Sequence, residues 1–145
     1  MNRPASALVG GFVGTALMSL VLVLIEVQTR YILRIFYVIA RFVRRPDDPF
    51  VGFLLFVLVG VAVWPLLFVA VLEYVPQGPD PAVKGMVFAV PIWVAFVVTG
   101  RGEFALPTLV IYVAFTLVAH LVYGFALGAV YASLSGTGAG RPEPG

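Results

Sequence analysis

The stretch AHLVYGFALGAVYA, residues 119–132, decides how this chain is built. It is strongly apolar and contains His120, the only histidine in the sequence. Small residues follow that histidine at every fourth position, at Gly124, Gly128 and Ala132. On a helix these positions lie on one face. A face of small residues within an apolar run is typical of helices that pack closely inside a lipid bilayer.

The composition of the whole chain indicates a membrane protein. Of its 145 residues, 61% are hydrophobic and 11% are charged, and the mean hydropathy is +1.06. A soluble domain carries about 25% charged residues. The chain contains no cysteine, which excludes disulfide, iron–sulfur and thiol chemistry.

Four apolar segments are long enough to cross a bilayer, which takes roughly 20 residues. The sequence therefore predicts an all-α integral membrane protein with a single four-helix domain over residues 1–135. The tail, residues 136–145, is rich in glycine and proline and should be disordered. The four predicted spans cover about residues 4–26, 49–74, 81–99 and 107–134.

Prolines mark the ends and the irregular points of these spans. An aspartate followed by a proline precedes the second and third spans, at Asp48 and Asp80. An aspartate can cap a helix whose first residue is proline, so both spans should begin there. Pro65 and Pro91 fall inside spans, and we expect a kink at each of them.

A basic amphipathic helix is predicted between spans 1 and 2, over about residues 30–45. At about 100° per residue, its arginines cluster on one face and its apolar residues fill the other. Such a helix lies in the membrane interface, where its arginines meet anionic lipid head groups. The alternative is that span 1 continues as one long helix to Arg45. The predicted head-group ligands are Arg30, Arg34, Arg41, Arg44 and Arg45.

These arginines also predict the orientation of the chain. The loops between spans 1 and 2 and between spans 3 and 4 share one side and carry six arginines. The positive-inside rule assigns that side to the cytoplasm. We therefore expect a multi-pass protein of the cell membrane with both termini outside.

Spans 1 and 4 each carry a row of small or polar residues, and we expect the two rows to pack together. Aligning the spans antiparallel sets Gly11 against Gly128, Thr15 against Gly124, and Ser19 against His120. Close approach through small residues drives helix association in lipid. The predicted packing and polar-contact residues are Gly11, Thr15, Ser19, Thr116, His120, Gly124 and Gly128.

The role of His120 stays open between three interpretations. It lies about 20 Å along span 4 from Pro107, at a rise of 1.5 Å per residue, which is near the bilayer midplane. A neutral imidazole hydrogen-bonded to Ser19 or Thr15 is the first interpretation. The second is a role in proton transfer or quinone binding. The third is ligation of a metal or haem, which lacks a second histidine in this chain.

No catalytic motif is found in the sequence. Neither a Ser-His-Asp set, nor HExxH, nor a phosphate-binding loop, nor a dinucleotide fingerprint is present. We therefore expect a protein without catalytic residues, metal or cofactor of its own. The apolar face of the basic helix favours lipid over nucleic acid as its partner.

The two ends of the chain resemble a known family. The stretches GGFVGTALMS, residues 10–19, and HLVYGFALGAVYA, residues 120–132, are similar to the first and last helices of small uncharacterised prokaryotic membrane proteins. Archaeal members of that family are often associated with haem-copper cytochrome oxidase. The resemblance implies an accessory subunit that packs against larger haem-containing membrane subunits of a respiratory terminal oxidase.

Two functional hypotheses follow. The first is a non-catalytic accessory subunit of a terminal oxidase of the cytochrome c oxidase type, which stabilises the core through helix packing and lipid contacts. The second is a free-standing small transporter or lipid-binding membrane protein. A polar cavity that reaches His120 from one side of the membrane would favour the second hypothesis.

Overall fold

The computed structural model describes residues 1–29, 34–76, 78–100 and 104–137, which form helices and the connections between them. The helices are α1 (Arg3–Thr29), α2 (Ile35–Ala40), α3 (Pro49–Leu58), α4 (Trp64–Val71), α5 (Pro81–Gly100) and α6 (Thr108–Ser135). A 3₁₀ turn, Arg41–Val43, follows α2, and a π-helical segment, Val59–Val63, joins α3 to α4.

Four helices are long and apolar enough to span a membrane, as predicted: Arg3–Gln28, Pro49–Val71, Pro81–Gly100 and Thr108–Ser135. The second of these consists of α3, the π segment and α4, and is called here the second long helix. The all-α class and the four long apolar helices are therefore confirmed.

Both predicted aspartate caps are present. A carboxylate oxygen of Asp48 accepts a hydrogen bond from the Val51 N–H at 3.1 Å, and one of Asp80 accepts from the Ala82 N–H at 2.9 Å. The two internal prolines behave differently. Pro65 is the second residue of α4, one residue beyond the first position after the π segment, whereas α5 continues as an α-helix past Pro91 to Gly100.

The segment between α1 and α3 differs from both sequence-based alternatives. Arg34 has a left-handed backbone with φ of 46°, so α1 does not run on to Arg45. The predicted interfacial helix is also shorter than expected, because α2 ends at Ala40 and gives way to the 3₁₀ turn. Arg30 and residues 138–145 of the predicted disordered tail lie outside the described residues.

α2 is packed into one end of the bundle. Its Ile35 and Val38 are buried, and Gly52 of α3 lies so close to the Phe36 backbone that a Cβ atom there would overlap it. This end of the bundle, with α2 and the described arginines Arg34, Arg41, Arg44 and Arg45, is called the arginine end.

The opposite end is fastened by polar contacts between α1, α6 and the α4–α5 connection. The Arg3 Nε donates to the Tyr131 hydroxyl at 2.9 Å, and the Arg3 guanidinium lies 3.8 Å from a carboxylate oxygen of Glu73. The Lys84 ammonium donates to the Leu72 carbonyl at 3.0 Å. Because Arg3 begins α1 and Tyr131 lies near the end of α6, the two helices are antiparallel, as expected.

α1 and α6 are in contact, but the predicted register between them is wrong. Gly10 and Gly14 of α1 face Leu127 and Tyr123 of α6. A Cβ atom at Gly11 would instead overlap Pro65, with the Gly60 and Val61 carbonyls next to it. Gly11 therefore lies against the second long helix and not against Gly128.

The glycines of α6 pack against α5. A Cβ atom at Gly124 would overlap the Gly85 carbonyl, and one at Gly128 would overlap the Pro81 carbonyl. The predicted pairing of Thr15 with Gly124 is therefore wrong as well, since the Thr15 hydroxyl lies against Gly60. Small residues do bring α5 and α6 together, as lipid-embedded helices require.

We predict that Gly128→Leu lowers the stability of the folded protein by about 2 kcal/mol, because the new side chain must push α5 away from α6. The loss should appear although replacement of glycine raises helix propensity. Thermal unfolding in a mild detergent, followed by circular dichroism, measures the effect. Ala114→Leu is the matched control, since Ala114 is exposed on the same helix and should tolerate leucine. Equal stability of the two variants would contradict the α5–α6 packing described here.

Candidate functional site

A tyrosine clamp holds the irregular point of the second long helix. The Tyr123 hydroxyl of α6 donates a hydrogen bond of 2.6 Å to the Gly60 carbonyl in the π segment. Tyr123 is only 3% exposed, so this bond lies in the interior of the bundle.

The backbone explains why that carbonyl needs a donor from another helix. In a π-helix the N–H of residue i+5 bonds to the carbonyl of residue i, and the Trp64 N–H donates to the Val59 carbonyl in this way. The next donor in the series would be residue 65, which is a proline and has no N–H. The Tyr123 hydroxyl takes its place.

α1 completes the junction around the clamp. Gly11 allows α1 to approach Pro65 and the carbonyls of the π segment, and Gly14 lies against the Tyr123 ring. Three helices therefore meet around the Gly60 carbonyl, and a larger side chain at either glycine would separate them.

Polar side chains also connect α5 to α6 near His120. The indole N–H of Trp93 lies 3.2 Å from both the Val113 carbonyl and the Thr116 hydroxyl oxygen. The Thr116 hydroxyl in turn donates to the carbonyl of Tyr112. These bonds satisfy the indole and the threonine within the protein.

An apolar cavity of about 580 Å³ lies between the second long helix and α5. α1 and α6 form its rear wall, and α2 with the 3₁₀ turn closes it at the arginine end. Its lining is almost entirely hydrocarbon, and none of the described residues that line it carries a formal charge. Ligand-binding pockets typically measure about 300–1,000 Å³, so the cavity has room for a small molecule or part of a lipid chain.

His120 lines this cavity, but its partner is not the predicted one. Its Nδ1 lies 2.7 Å from the Thr116 carbonyl of its own helix, whereas the Ser19 hydroxyl donates to the Thr15 carbonyl at 2.7 Å. The predicted pairing of Ser19 with His120 is therefore wrong. A carbonyl oxygen only accepts hydrogen bonds, so Nδ1 carries the ring proton. In the neutral imidazole Nε2 is then an acceptor.

Thr15 is the second polar group of interest in the cavity wall. Its side-chain oxygen is buried and has no hydrogen-bond partner among the described residues. Thr15 lines the same cavity as His120 and Thr116. An unpaired hydroxyl in an apolar interior is costly, and a rotation of the Thr15 side chain towards the cavity would let a bound molecule supply the missing contact.

The described members of the predicted head-group set, Arg34, Arg41, Arg44 and Arg45, lie at the end of the bundle that holds the cavity floor. Arg34, Arg44 and Arg45 are exposed, and the Arg34 guanidinium lies 5.9 Å from the centre of the Tyr37 ring. Arg41 is half-buried. Phe42 and Val43 of the same segment are exposed and line the cavity, so the positive charge borders one end of the apolar space.

The described part of the chain does not bring together side chains that could ligate a metal ion. Among residues 1–29, 34–76, 78–100 and 104–137, no group of three or more His, Cys, Asp or Glu side chains could hold a metal ion. The centre of the Phe96 ring lies 5.4 Å from the centre of the imidazole, so an aromatic side chain packs against His120.

Comparison with known proteins assigns a family. A model of a family of unknown function, DUF6789, matches residues 1–140. The chain belongs to this family. No curated protein and no solved structure matches the sequence. The prediction of an uncharacterised family is confirmed, whereas the family description mentions neither oxidases nor archaea.

Sequence reasoning missed the cavity and the clamp of this DUF6789 protein. It singled out the small-residue rows and His120, but not Tyr123, Gly60 or Trp93. One signal was available, because a proline inside a membrane helix frees a backbone carbonyl that needs a donor. α6 carries Tyr112 near its start and Tyr123 in its middle part, and the sequence did not reveal which of them supplies the donor.

We predict that Tyr123→Phe lowers stability by about 1 to 2 kcal/mol, because the Gly60 carbonyl then has no donor. The loss should be smaller in a Pro65→Ala background. With alanine at position 65 the Gly60 carbonyl regains a backbone donor, either residue 65 in the π register or Trp64 in the α register. A double-mutant cycle of reversible unfolding in detergent measures this coupling. Tyr74→Phe is the control, because Tyr74 is 85% exposed. Additive effects of the two substitutions would show that the clamp does not replace the proline's missing donor.

Proposed function

We propose that this protein is a non-catalytic, multi-pass membrane protein that binds a lipid chain or a similar apolar molecule in its internal cavity. The observation that carries the proposal is the apolar space of about 580 Å³ between the second long helix and α5. Protein interiors are normally close-packed, and an unfilled space of this size forfeits many van der Waals contacts. A bound molecule would restore them.

Access to the cavity is from the side of the bundle, where acyl chains would surround a membrane protein. Three exposed residues line the cavity on the side of the bundle and mark its mouth: Leu67 on the second long helix, and Pro91 and Ala95 on α5. Phe42 and Val43, which line the cavity at the arginine end, are exposed as well. α5 packs mainly against α6, and α3 packs mainly against α2. The facing sides of α3 and α5 are therefore left apart, and a chain from the bilayer can enter between them.

The arginine end suits the head group of an anionic lipid. Arg34, Arg44 and Arg45 are exposed next to Phe42 and Val43 at the cavity floor. Each arginine near an anionic membrane surface contributes about 1 kcal/mol of attraction. We further propose that the arginine end faces the cytoplasm and that both termini lie on the outer side of the cell membrane, in agreement with the positive-inside rule.

The accessory-subunit hypothesis stays a prediction. Its support is the resemblance of residues 10–19 and 120–132 to proteins associated with terminal oxidases, together with the lack of catalytic motifs. A lipid held in the cavity is compatible with that role, because lipid contacts were part of the predicted stabilisation of the core. Co-purification with haem-containing subunits from native membranes in mild detergent would support it. A stable, haem-free homo-oligomer purified alone would count strongly against it.

We predict that Ala95→Phe removes most of the lipid or other apolar molecule that co-purifies with the wild-type protein, because the ring blocks the cavity mouth. Native mass spectrometry of protein extracted in a mild detergent measures the retained molecule. Ala114→Phe is the matched control, since Ala114 is exposed on α6 and does not line the cavity. Equal retention by the wild type and both variants, or no retained molecule in any of them, would overturn the proposal.

A further inference from the structure

We infer that the molecule in the cavity carries an uncharged hydroxyl group, on an aromatic or other apolar body, that donates a hydrogen bond to Nε2 of His120. The inference rests on the proposed function and names the chemical class of the ligand. It is carried by two polar groups that the protein leaves unpaired in the wall of one apolar cavity.

The first of these groups is the imidazole of His120. It is 6% exposed and lines the cavity, and its Nδ1 is bonded to the Thr116 carbonyl at 2.7 Å. This bond fixes the ring proton on Nδ1, because the carbonyl cannot donate. Nε2 is then a hydrogen-bond acceptor, and no described residue donates to it. A bound molecule can complete it only through an atom that carries hydrogen.

The second group is the hydroxyl of Thr15, which lies on α1. Thr15 is 8% exposed, its Oγ1 has no partner among the described residues, and it lines the same cavity. This oxygen is enclosed by the protein, so the side chain must rotate about χ1 before its hydroxyl can donate to an oxygen of the bound molecule. The two wall groups together therefore offer one acceptor and one donor to an oxygen-bearing ligand.

The absence of charge from the described lining residues selects an uncharged ligand group. A carboxylate or an ammonium group buried there would lose its hydration without gaining a counter-ion. A ketone or an ester would accept from Thr15 but would leave Nε2 without a donor. An alcohol or a phenol satisfies both groups at a smaller desolvation cost.

Aromatic rings in the cavity wall favour a phenol as the ligand group. The Phe96 ring centre lies 5.4 Å from that of the imidazole, and Trp64 packs against Phe88 with ring centres 6.5 Å apart. All of these rings line the cavity. An aromatic ligand could pack against them in tilted or edge-to-face geometry, with its hydroxyl directed at Nε2.

The single histidine makes the inference directly measurable. Protein labelled with ¹⁵N only in its histidine ring, placed in lipid nanodiscs, gives the two nitrogen signals of His120 and no others. The probes are 1-naphthol and 1-methylnaphthalene, which differ by a hydroxyl in place of a methyl group. We expect both to bind, and only 1-naphthol to move the Nε2 signal towards the frequency of a protonated ring nitrogen.

Thr15→Val tests the second contact with a change of little volume. It should weaken 1-naphthol binding about fivefold, the loss of one ordinary hydrogen bond, and leave 1-methylnaphthalene binding unchanged. Titration calorimetry at a fixed detergent concentration measures both affinities. Thr99→Val is the control, because the Thr99 hydroxyl donates to the Ala95 carbonyl and Thr99 does not line the cavity.

The outcomes separate this inference from the proposed function. If neither probe binds, the cavity is not a ligand site and both fail. If both bind with equal affinity and the Nε2 signal stays in place, the cavity binds apolar molecules but the hydroxyl assignment is wrong. If Thr15→Val weakens both probes equally, Thr15 acts through packing and the second contact is wrong.

Discussion

The structure depends on one backbone carbonyl that cannot be left unpaired. Inside a bilayer there is no water to satisfy a free carbonyl, so each must find a donor within the protein. Pro65 removes the donor that the π register would give to Gly60, and the Tyr123 hydroxyl replaces it at 2.6 Å. This bond fixes the rotation and depth of the second long helix relative to α6.

The position of the second long helix determines where the cavity lies. Glycines bring α5 close to α6, and Gly11 brings α1 close to the π segment. The second long helix is therefore held next to α1, while α5 is held next to α6. α2 lies between α3 and the end of α5, and its Ile35 and Ile39 help to close the space that remains. The close contacts join α5 to α6 and α1 to the second long helix. They leave a space between the second long helix and α5, and this space is the cavity.

The parts of this fold that depend on local sequence were predictable. The four apolar segments and the caps at Asp48 and Asp80 follow from hydropathy and from the chemistry of helix N-termini, which act within a few residues. The importance of the glycine rows was also visible, but their partners were not. Gly10 and Gly11 are neighbours that face different helices, and only the three-dimensional arrangement decides which of them meets α6. The left-handed backbone at Arg34 shortened the interfacial helix for a similar reason, since nothing in an arginine's propensity indicates it. His120, which the sequence singled out, lines the cavity. Its bond to the Thr116 carbonyl lies within its own helix and leaves Nε2 for the cavity.

The most direct test of this account is an electron-density map of the protein crystallised from a lipidic mesophase. The account predicts a π segment at Val59–Val63 with the Tyr123 hydroxyl on the Gly60 carbonyl, and continuous density for a bound molecule between the second long helix and α5. A regular α-helix through Val59–Val63, packed directly against α5 with no space between them, would contradict it.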